Sequence, residues 1–512
     1  MTDSISGQDL GSRDRVGITS SLIYGQRPAA VLARKVALVS QANNVTYNPG
    51  GLIRVEIPTS PGTFLVCGTT TLKFNLDITS LTGAAIAAGQ AQGILDPCAS
   101  SLIERIRIYS GSSLIEDIGG YNKIFNLMSD VTKNNGETET TGFVEGSPSQ
   151  PPIAPTIGGA TDYENYRDIA ACANVRPVNI TSDFLYPTQN NPVAADNVPY
   201  QFEIPIMSGT IGTMCPKWLP LSGASSAPIR CEIELASRVT GMIQTTDSRD
   251  TGGAGVGALT WSLSNVELHA DIVQLDANAM RLVEESVGGQ FTVNTSTFRH
   301  SQSVVAAGST SSSNILPFRF SSAKAFLTRA YDQASAAGAG ALVLQSQSMG
   351  LRNNTTRFHH MIGSSHVPAN SVQCGNSEQT PLAGAAGGSN RTNQPAVEAV
   401  TELMKAVHGK NILQLSNHIN VANWNHNVAP AIAAGAAATP GWLEPGTFTY
   451  GVDLESQGKA SALIENGTST VSLQCFLNVD YDVATQQAVN LHSWCLHDLR
   501  LDFVGGVIIP RY

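Results

Sequence analysis

The sequence predicts an all-β protein built from two similar halves, each a β-sandwich with one short helix in a long loop. Apolar and polar residues alternate in many short segments, as in Leu72–Ile78 (LKFNLDI), so one face of each strand meets a core and the other does not. The first half carries a helical pattern at Gly119–Val131, and the second carries another at Pro395–Gly409. A sandwich that occurs twice is typical of a structural building block rather than of an enzyme.

Length and composition agree with this prediction. The chain has 512 residues, whereas single cores stop growing near ~250–300 residues. Charged residues make up 14% and hydrophobic residues 42%, and ordinary soluble domains have roughly 25% charged residues. Because charged groups are depleted at the centres of interfaces, this composition favours a protein that covers much of its surface with neighbours.

The charge pattern argues against nucleic-acid binding. The net charge is −10, and residues 1–45 contain five basic and three acidic side chains, a balance of +2. Binding a phosphate backbone requires clustered cations, and the chain has no Lys/Arg run. We therefore expect no direct, sequence-specific contact with nucleic acid.

The cysteines and the termini indicate a soluble protein of a reducing compartment. The eight cysteines are scattered without a CxxC pair, so neither a disulfide framework nor a zinc site is predicted. Met1–Leu10 is polar and lacks the features of a secretory signal. The longest apolar run, Ala429–Ala438, is too short to span a bilayer.

Strand patterns recur in both halves. They cover Ile106–Ile108, Tyr200–Ile206, Ile229–Leu235 and Val266–Ile272 in the first half, and Gln290–Val293, Leu316–Phe320, Val471–Leu477 and Leu499–Phe503 in the second. Pro205 cannot donate to a sheet ladder, so its strand is predicted to lie at an edge or a bulge. Residues 132–198 and 333–393, rich in Gly, Pro, Asn and Ser, are predicted to be long irregular loops.

Three helices are predicted. The first has an apolar stripe at helical spacing, formed by Tyr121, Ile124, Phe125 and Met128. The second has its own stripe, formed by Val397, Val400, Met404 and Val407. The third, Ala277–Val287, follows Asp276 near the midpoint of the chain, and we interpret it as the connector between the halves.

Histidines are the first candidate site residues. His359, His360 and His366 lie close together, and His492 and His497 lie near the C-terminus. In an extended segment, His359 and His360 point to opposite sides, so these residues are interpreted as loop residues rather than as metal ligands.

Two glycine-rich segments superficially resemble phosphate-binding loops. Gly252–Gly257 (GGAGVG) departs from GxGxxG at Ala258 and precedes no helix, which favours a hairpin tip. Lys459 follows a glycine but precedes Ala460 rather than Ser or Thr, which excludes a P-loop.

Acidic residues are the remaining candidates. Glu203, Glu232 and Glu234 alternate along strands, as the paired acids of a glycosidase can. Outward-facing strand charges are the favoured interpretation. We predict no catalytic residue, no cofactor and no metal ion.

Three short blocks occur in order within residues 50–512. They are Ser101–Asp117 with Tyr121-Asn122 (SLIERIRIYSGSSLIED…YN), Val266–Asp276 (VELHADIVQLD) and Pro395–Asn411 (PAVEAVTELMKAVHGKN). Together these blocks resemble the double jelly-roll major capsid proteins of tailless icosahedral DNA viruses, and they are most similar to those of polinton-like viruses and virophages.

This resemblance implies two tandem eight-stranded jelly rolls. The division is an N-terminal arm at 1–45, a first roll at 46–276, a helical connector at 277–288 and a second roll at 289–512. It implies a virion structural protein without enzymatic activity, whose homotrimer forms a pseudo-hexameric capsomer of an icosahedral capsid around a DNA genome. The arm would run along the inner face towards neighbouring capsomers, minor capsid and penton proteins or an internal membrane.

Two other interpretations stay open at this point. One is a secreted or surface β-sandwich protein that binds or cleaves carbohydrate. The other is a minor structural or spike protein of the same virion.

Overall fold

The computed structural model describes most of the chain. The described residues are 33–80, 91–95, 98–133, 141, 144–145, 178–179, 200–221, 228–241, 243–246, 259–287, 291–332, 350–374, 396–408, 448–455, 467–481, 488–504 and 506–512. Two separate groups of antiparallel sheets, one from each half of the chain, make up the fold.

The first half forms two main sheets. Its strands are β1 (Ala33–Gln41), β2 (Thr46–Tyr47), β3 (Leu52–Ile57), β4 (Thr63–Ser80), β5 (Ala91–Leu95), β6 (Ile103–Ser110), β7 (Ser113–Gly119), β8 (Val178–Asn179), β9 (Tyr200–Pro205), β10 (Leu219–Pro220), β11 (Ile229–Leu235), β12 (Ile243–Thr246) and β13 (Leu259–Leu275). One sheet has the order β1-β13-β4-β10, with β2 beside β13 and β9 beside β4, and the other has the order β3-β11-β6-β7. A small third sheet, β12-β5-β8, joins the connections that follow β4, β7 and β11.

The second half repeats this arrangement. Its strands are β14 (Thr292–Val305), β15 (Ser311–Leu316), β16 (Ala323–Asp332), β17 (Thr355–Ile362), β18 (Ser365–Gln373), β19 (Tyr450–Asp453), β20 (Cys475–Tyr481), β21 (Val489–Val504) and β22 (Val507–Arg511). One sheet has the order β14-β21-β16-β19, with β22 beside β21, and the other has the order β15-β20-β17-β18.

The two halves share one topology. In each, the first strand lies beside the last long strand, and the remaining strands are distributed between the two sheets in the same order. This order is that of a jelly roll. If β1 with β2, and β9 with β10, are taken as interrupted strands, each half has eight principal strands. The predicted pair of tandem jelly rolls is confirmed.

Strand alternation builds the cores. In β3, Ile53, Val55 and Ile57 are buried and the residues between them are exposed. Burying one such aliphatic side chain contributes roughly 1.5–3 kcal/mol. Pro205 ends β9, which pairs with β4 alone, so the predicted edge position is confirmed.

The helices lie close to their predicted positions. They are α1 (Tyr121–Thr132), α2 (Arg238–Gly241), α3 (Ala277–Val287) and α4 (Val397–His408), and Ala99–Leu102 forms a 3₁₀ turn. Helix α3 lies between β13 of the first roll and β14 of the second.

The predicted apolar stripe of α4 is confirmed in part. Met404 is buried, and Val400 and Val407 are half-buried against the core, but Val397 is 60% exposed. Ala399, Leu403 and Ala406, which the prediction left out, are also buried. Helix α4 approaches β19 closely at Leu403. A Cβ on Gly451 would lie 2.9 Å from the Leu403 backbone.

Three other predictions need correction. Residues 333–393 are not wholly irregular, because β17 and β18 form a hairpin there; inward-facing His360 disguises the apolar alternation. Strand β15 ends at Leu316, and β20 begins only at Cys475, after a turn. Residues 33–41, assigned to the arm, pair with β13 along their whole length.

His360 generates a stability prediction. Its side chain is fully buried, burial lowers its pKa to about 3, and no described residue bonds either ring nitrogen. Replacing an unsatisfied buried polar group by an apolar group of similar shape removes a desolvation cost. We expect His360→Phe to raise the free energy of unfolding by about 1 kcal/mol in urea titrations.

The matched control is His497→Phe. His497 donates from Nδ1 to the Asp498 carbonyl at 2.9 Å, so its loss should give no gain in stability. A His360→Phe protein less stable than the wild type would contradict the assignment of an unpaired imidazole.

Candidate functional site

The two rolls meet through a contact between different parts of each roll. Strand β7 and helix α1 of the first roll lie against β14, β21 and β22 of the second. β7 is the edge strand of its four-stranded sheet, and β14 is the edge strand of the second roll's larger sheet. We call this region the inter-roll contact.

A buried carboxylate lies at its centre. Glu116 on β7 accepts hydrogen bonds from the Ser208 hydroxyl at 2.5 Å and from the backbone N–H groups of Gly209 and Thr210 at 2.8 and 3.1 Å. It also accepts a hydrogen bond from the Thr297 hydroxyl on β14. Both carboxylate oxygens are therefore satisfied, and one of them ties the second roll to the first.

The neighbouring carboxylate also bridges the rolls. Asp117 binds Arg105 of its own roll in a bidentate pair, with distances of 2.7 and 2.8 Å, and Arg299 of β14 at 2.8 Å. Burial alone would raise the pKa of Asp117, but the hydrogen bonds and charges of the two arginines lower it below its usual value. The ionised form is thus favoured, and it neutralises cations from both rolls.

Aromatic rings pack beneath the end of β7. His300 and His492 stack with centroids 5.1 Å apart and share a hydrogen bond of 3.0 Å, and Trp494 donates to the Gly119 carbonyl at 3.1 Å. Gly120 has a φ of +57°, and a Cβ there would lie 3.2 Å from His300. Glycine at this position therefore permits both the turn into α1 and the close approach of the rolls.

A buried ion pair completes the inter-roll contact. Arg329 on β16 is fully buried and lies 3.2 Å from Asp130 on α1, and its Nε also donates to the Thr449 hydroxyl at 3.0 Å. Removing one member of such a pair costs about 3–5 kcal/mol, because the other charge stays buried. Helix α1 is consequently held by both rolls.

The counterparts of these surfaces are open. β18 occupies in the second roll the edge position of β7, and β1 occupies in the first roll the edge position of β14. On β1, Val36 and Val39 are 40% and 53% exposed. Most residues of β18 are also exposed or half-buried. Among the described strands, none pairs with the outer side of β1 or of β18.

The outer faces of the two larger sheets also differ in how far their residues are buried. In β21, the outward-facing His492 and Trp494 are buried, and Trp494 donates to the Gly119 carbonyl of the first roll. In β13, the outward-facing Glu267 and His269 are only half-buried. Part of the second roll's sheet face is therefore covered, whereas these two described residues on the equivalent face of the first roll keep some exposure.

The candidate histidines have different places. The interpretation of His359, His360 and His366 as loop residues is wrong, because all three lie on the strands of the β17–β18 hairpin. His359 and His366 stack across the hairpin with centroids 4.6 Å apart, whereas His360 points into the core, so the predicted opposite orientations are confirmed. His497 is buried beneath Phe320, and His492 lies in the inter-roll contact. The described residues contain no cluster of three or more His, Cys, Asp or Glu suited to a metal ion.

The candidate acids lie in two different sheets. Glu203 accepts a hydrogen bond from Thr71 in the larger sheet of the first roll, while Glu232 and Glu234 lie in the other sheet. Glu232 is surrounded by cations and lies 3.3 Å from Arg54. These carboxylates belong to ion pairs on sheet faces.

The remaining candidates lie outside the described residues. These are Gly252–Gly257 and Lys459. Among the helices described, none has the length and apolarity needed to cross a bilayer.

Sequence reasoning missed Glu116, Asp117, Arg299 and Arg329. Glu116 and Asp117 break the alternation of β7 as adjacent acids, and that irregularity was the available signal. Arg329 stands between Thr328 and Ala330 in a strand of mostly buried residues, where a charge requires a partner.

The hydrogen bonds to Glu116 predict that replacing its carboxylate by an amide lowers the stability of the protein. In Glu116→Gln an NH₂ group would face one or more of the N–H and O–H donors, so we expect a loss of roughly 2 kcal/mol or more in unfolding free energy. Urea unfolding followed by circular dichroism measures this loss. Glu56→Gln, at an exposed position on β3, is the control and should change stability by less than about 0.5 kcal/mol. A Glu116→Gln protein with the same unfolding free energy as the wild type would refute the role of the carboxylate.

The buried histidines predict acid lability. Burial lowers the pKa of His300 to about 4 and that of His492 below its usual value, and the charge of Lys123 lowers both further. Below about pH 6.5 the unfolded chain therefore binds more protons than the folded chain. Stability should be full above that pH and should fall as the pH drops towards 4, as a thermal midpoint series would measure. His300→Gln should show a shallower decline, and equal slopes would contradict the assignment.

Comparisons with known proteins place the fold. No protein-family model matches the chain, and no curated protein matches its sequence. A chain in the cryo-EM structure of the Sputnik virophage is 10% identical with a TM-score of 0.53, and the match covers 96% of this chain and 91% of that one. PBCV-1 VP54, fitted into a cryo-EM reconstruction of the virophage Sputnik, is 11% identical with a TM-score of 0.50, and the match covers 94% of this chain and 97% of that one.

At such low identity the likeness concerns the fold. It extends over nearly the whole of each chain, including both rolls. Together with the strand order repeated in the two halves, it establishes that this chain is a double jelly-roll protein, similar in fold to these viral proteins.

Proposed function

We propose that the chain is a major capsid protein of a virion, whose homotrimer forms a pseudo-hexameric capsomer in an icosahedral shell around a DNA genome. The fold shared with the Sputnik chain and with VP54 supports this proposal. The three sequence blocks that resemble double jelly-roll capsid proteins support it independently. The proposal involves no catalytic step.

The observation that carries the proposal is the pair of open edges. Within one chain, the β7 edge of the first roll covers the β14 edge of the second. In the described part of the chain, the equivalent β18 and β1 edges have no strand partner on their outer sides. An exposed edge strand invites pairing, and folded proteins normally cover it. A second copy of the chain supplies the matching edge.

This geometry leads to a ring. A contact between unlike surfaces is heterologous, and it closes into a ring when each rotation brings the last unit back to the first. If the contact between chains resembles the contact within a chain, successive rolls are related by similar rotations. Six rolls from three chains would then close with an outline close to sixfold. Such a unit tiles hexagonal positions of a shell and meets neighbouring capsomers along its sides.

Particle size and shape test the proposal. Purified protein should elute as a trimer with a mass of about three times 53.9 kDa. Electron microscopy should show hexagonal plates or shells. A stable monomer that binds or cleaves glycans would overturn the proposal in favour of a carbohydrate-active protein.

A substitution on β1 tests the edge contact itself. Val39 is 53% exposed on the open edge, so Val39→Arg should leave the monomer folded and should lower the trimer fraction by weakening an apolar contact. Analytical ultracentrifugation measures this fraction, and circular dichroism monitors folding. The control is Ile315→Arg on β15, where the wild-type side chain is 65% exposed in the other sheet of the second roll. Equal trimer fractions for both variants would exclude β1 from the interface.

A further inference from the structure

Helix α1 presents polar side chains to the second roll. Lys123, Asn126 and Asp130 have the spacing i, i+3 and i+7, which places them on one face of the helix. The Lys123 ammonium lies 5.9 Å from the centre of the Tyr331 ring, and Asp130 pairs with Arg329 at 3.2 Å. Tyr331 and Arg329 both belong to β16. This face of α1 therefore meets the second roll.

Asn126 is buried on this face without a hydrogen-bond partner. It is 1% exposed, and neither its amide oxygen nor its amide nitrogen has a partner among the described residues. A side-chain amide carries two N–H donors and one carbonyl acceptor, and buried groups of this kind normally bind protein, water or an ion. Asn126 lies between Lys123 and Asp130 along the helix, so a ligand that it binds would lie between α1 and β16.

The charge of Lys123 is neutralised only weakly by the protein. Lys123 is 6% exposed, and its one ion pair among the described residues is with Glu104, whose oxygen lies 3.9 Å from the ammonium nitrogen. That distance exceeds the range of a hydrogen bond. The Glu104 side chain is 36% exposed, so water screens its attraction, and its other oxygen accepts a hydrogen bond from Asn122 at 3.2 Å. A buried ammonium in this position is costly unless another anion compensates it.

The second roll supplies aromatic rings rather than acids beside Lys123. The Tyr331 ring that Lys123 approaches also contacts His492, with ring centroids 5.3 Å apart. His492 in turn stacks on His300, with centroids 5.1 Å apart. These rings carry no negative charge at neutral pH. Asp130, on the same face of α1, already pairs with Arg329. A water molecule would fill hydrogen bonds here but would leave the charge of Lys123 in place, whereas an anion would do both.

We propose that the Lys123 ammonium and the Asn126 amide bind a small inorganic anion, of the size and charge of chloride, between α1 and β16. The ammonium supplies the opposite charge and N–H donors, and Nδ2 of Asn126 supplies a further donor. Because both residues are almost wholly buried, the ligand must give up most of its hydration, which costs a small monovalent ion less than it costs phosphate. The site does not depend on the capsid role proposed above.

The bound anion would stabilise the inter-roll contact. It would lie against α1 of the first roll and β16 of the second, so the unfolded chain does not offer the same site. A ligand that binds only the folded state raises stability as its concentration rises, and the effect follows its dissociation constant. The proposal therefore predicts a specific and saturable dependence of stability on chloride.

The test compares sodium chloride with sodium gluconate at equal ionic strength and neutral pH, using the full chain. The thermal midpoint should be higher in chloride by about 2 °C or more, and the rise should level off as chloride is increased. Bromide should act like chloride. Equal midpoints in chloride and gluconate, or a rise that never levels off, would overturn the proposal, because both outcomes indicate a general effect of salt.

Variants and a heavier halide locate the site. Lys123→Met and Asn126→Leu should each abolish the difference between chloride and gluconate. The control is Lys405→Met on α4, where the ammonium already bonds Glu402 at 2.6 Å, and it should keep the difference. Crystals of the wild-type protein grown in bromide decide the matter even if a variant folds poorly. An anomalous scattering peak beside Lys123 and Asn126 is expected, and a water molecule there or bromide only at other positions would overturn the proposal.

Discussion

The inter-roll contact orders the rest of this molecule, and its central interaction is the buried carboxylate of Glu116. A charged group can be buried when hydrogen bonds replace its lost hydration, and four donors from two rolls do so here. Separating the rolls would remove the Thr297 donor, while Ser208, Gly209 and Thr210 of the first roll would still bind the carboxylate. Other arrangements of the two rolls would leave the buried carboxylate with fewer hydrogen bonds, so they are less stable.

Other charged groups also favour a single arrangement of the two rolls. Asp117 is neutralised by one arginine from each roll, and Asp130 binds the buried Arg329. Each pair demands a defined geometry, because a buried charge without its partner is costly. Apolar packing alone would tolerate sliding between the rolls. The polar network instead allows one arrangement, with Gly119 and Gly120 allowing the backbone to approach His300 and Trp494.

The open edges are chemically different from the contact within the chain. Strand β1 offers Val36 and Val39, and β18 offers short side chains such as Ser365 and Ala369. Neither edge carries a buried carboxylate like Glu116. Contact within a chain is permanent, and buried charges make it specific. In the proposed trimer, contact between copies would form from folded units, and exposed apolar groups on edge strands suit that purpose. One topology would thus provide two contacts with different physical requirements.

Local patterns in the sequence determined the strands, the helices and the duplication. Alternation at Leu72–Ile78 and helical spacing at Tyr121–Met128 depend on neighbouring residues along the chain, so they can be read without a fold. Only the tertiary structure decided which polar residues meet. Glu116 and Thr297 are 181 positions apart, and their hydrogen bond depends on how two separately formed rolls are oriented. The exposure of Val397 on α4 has the same cause, because the buried face of a helix depends on the surface it packs against as well as on its own periodicity.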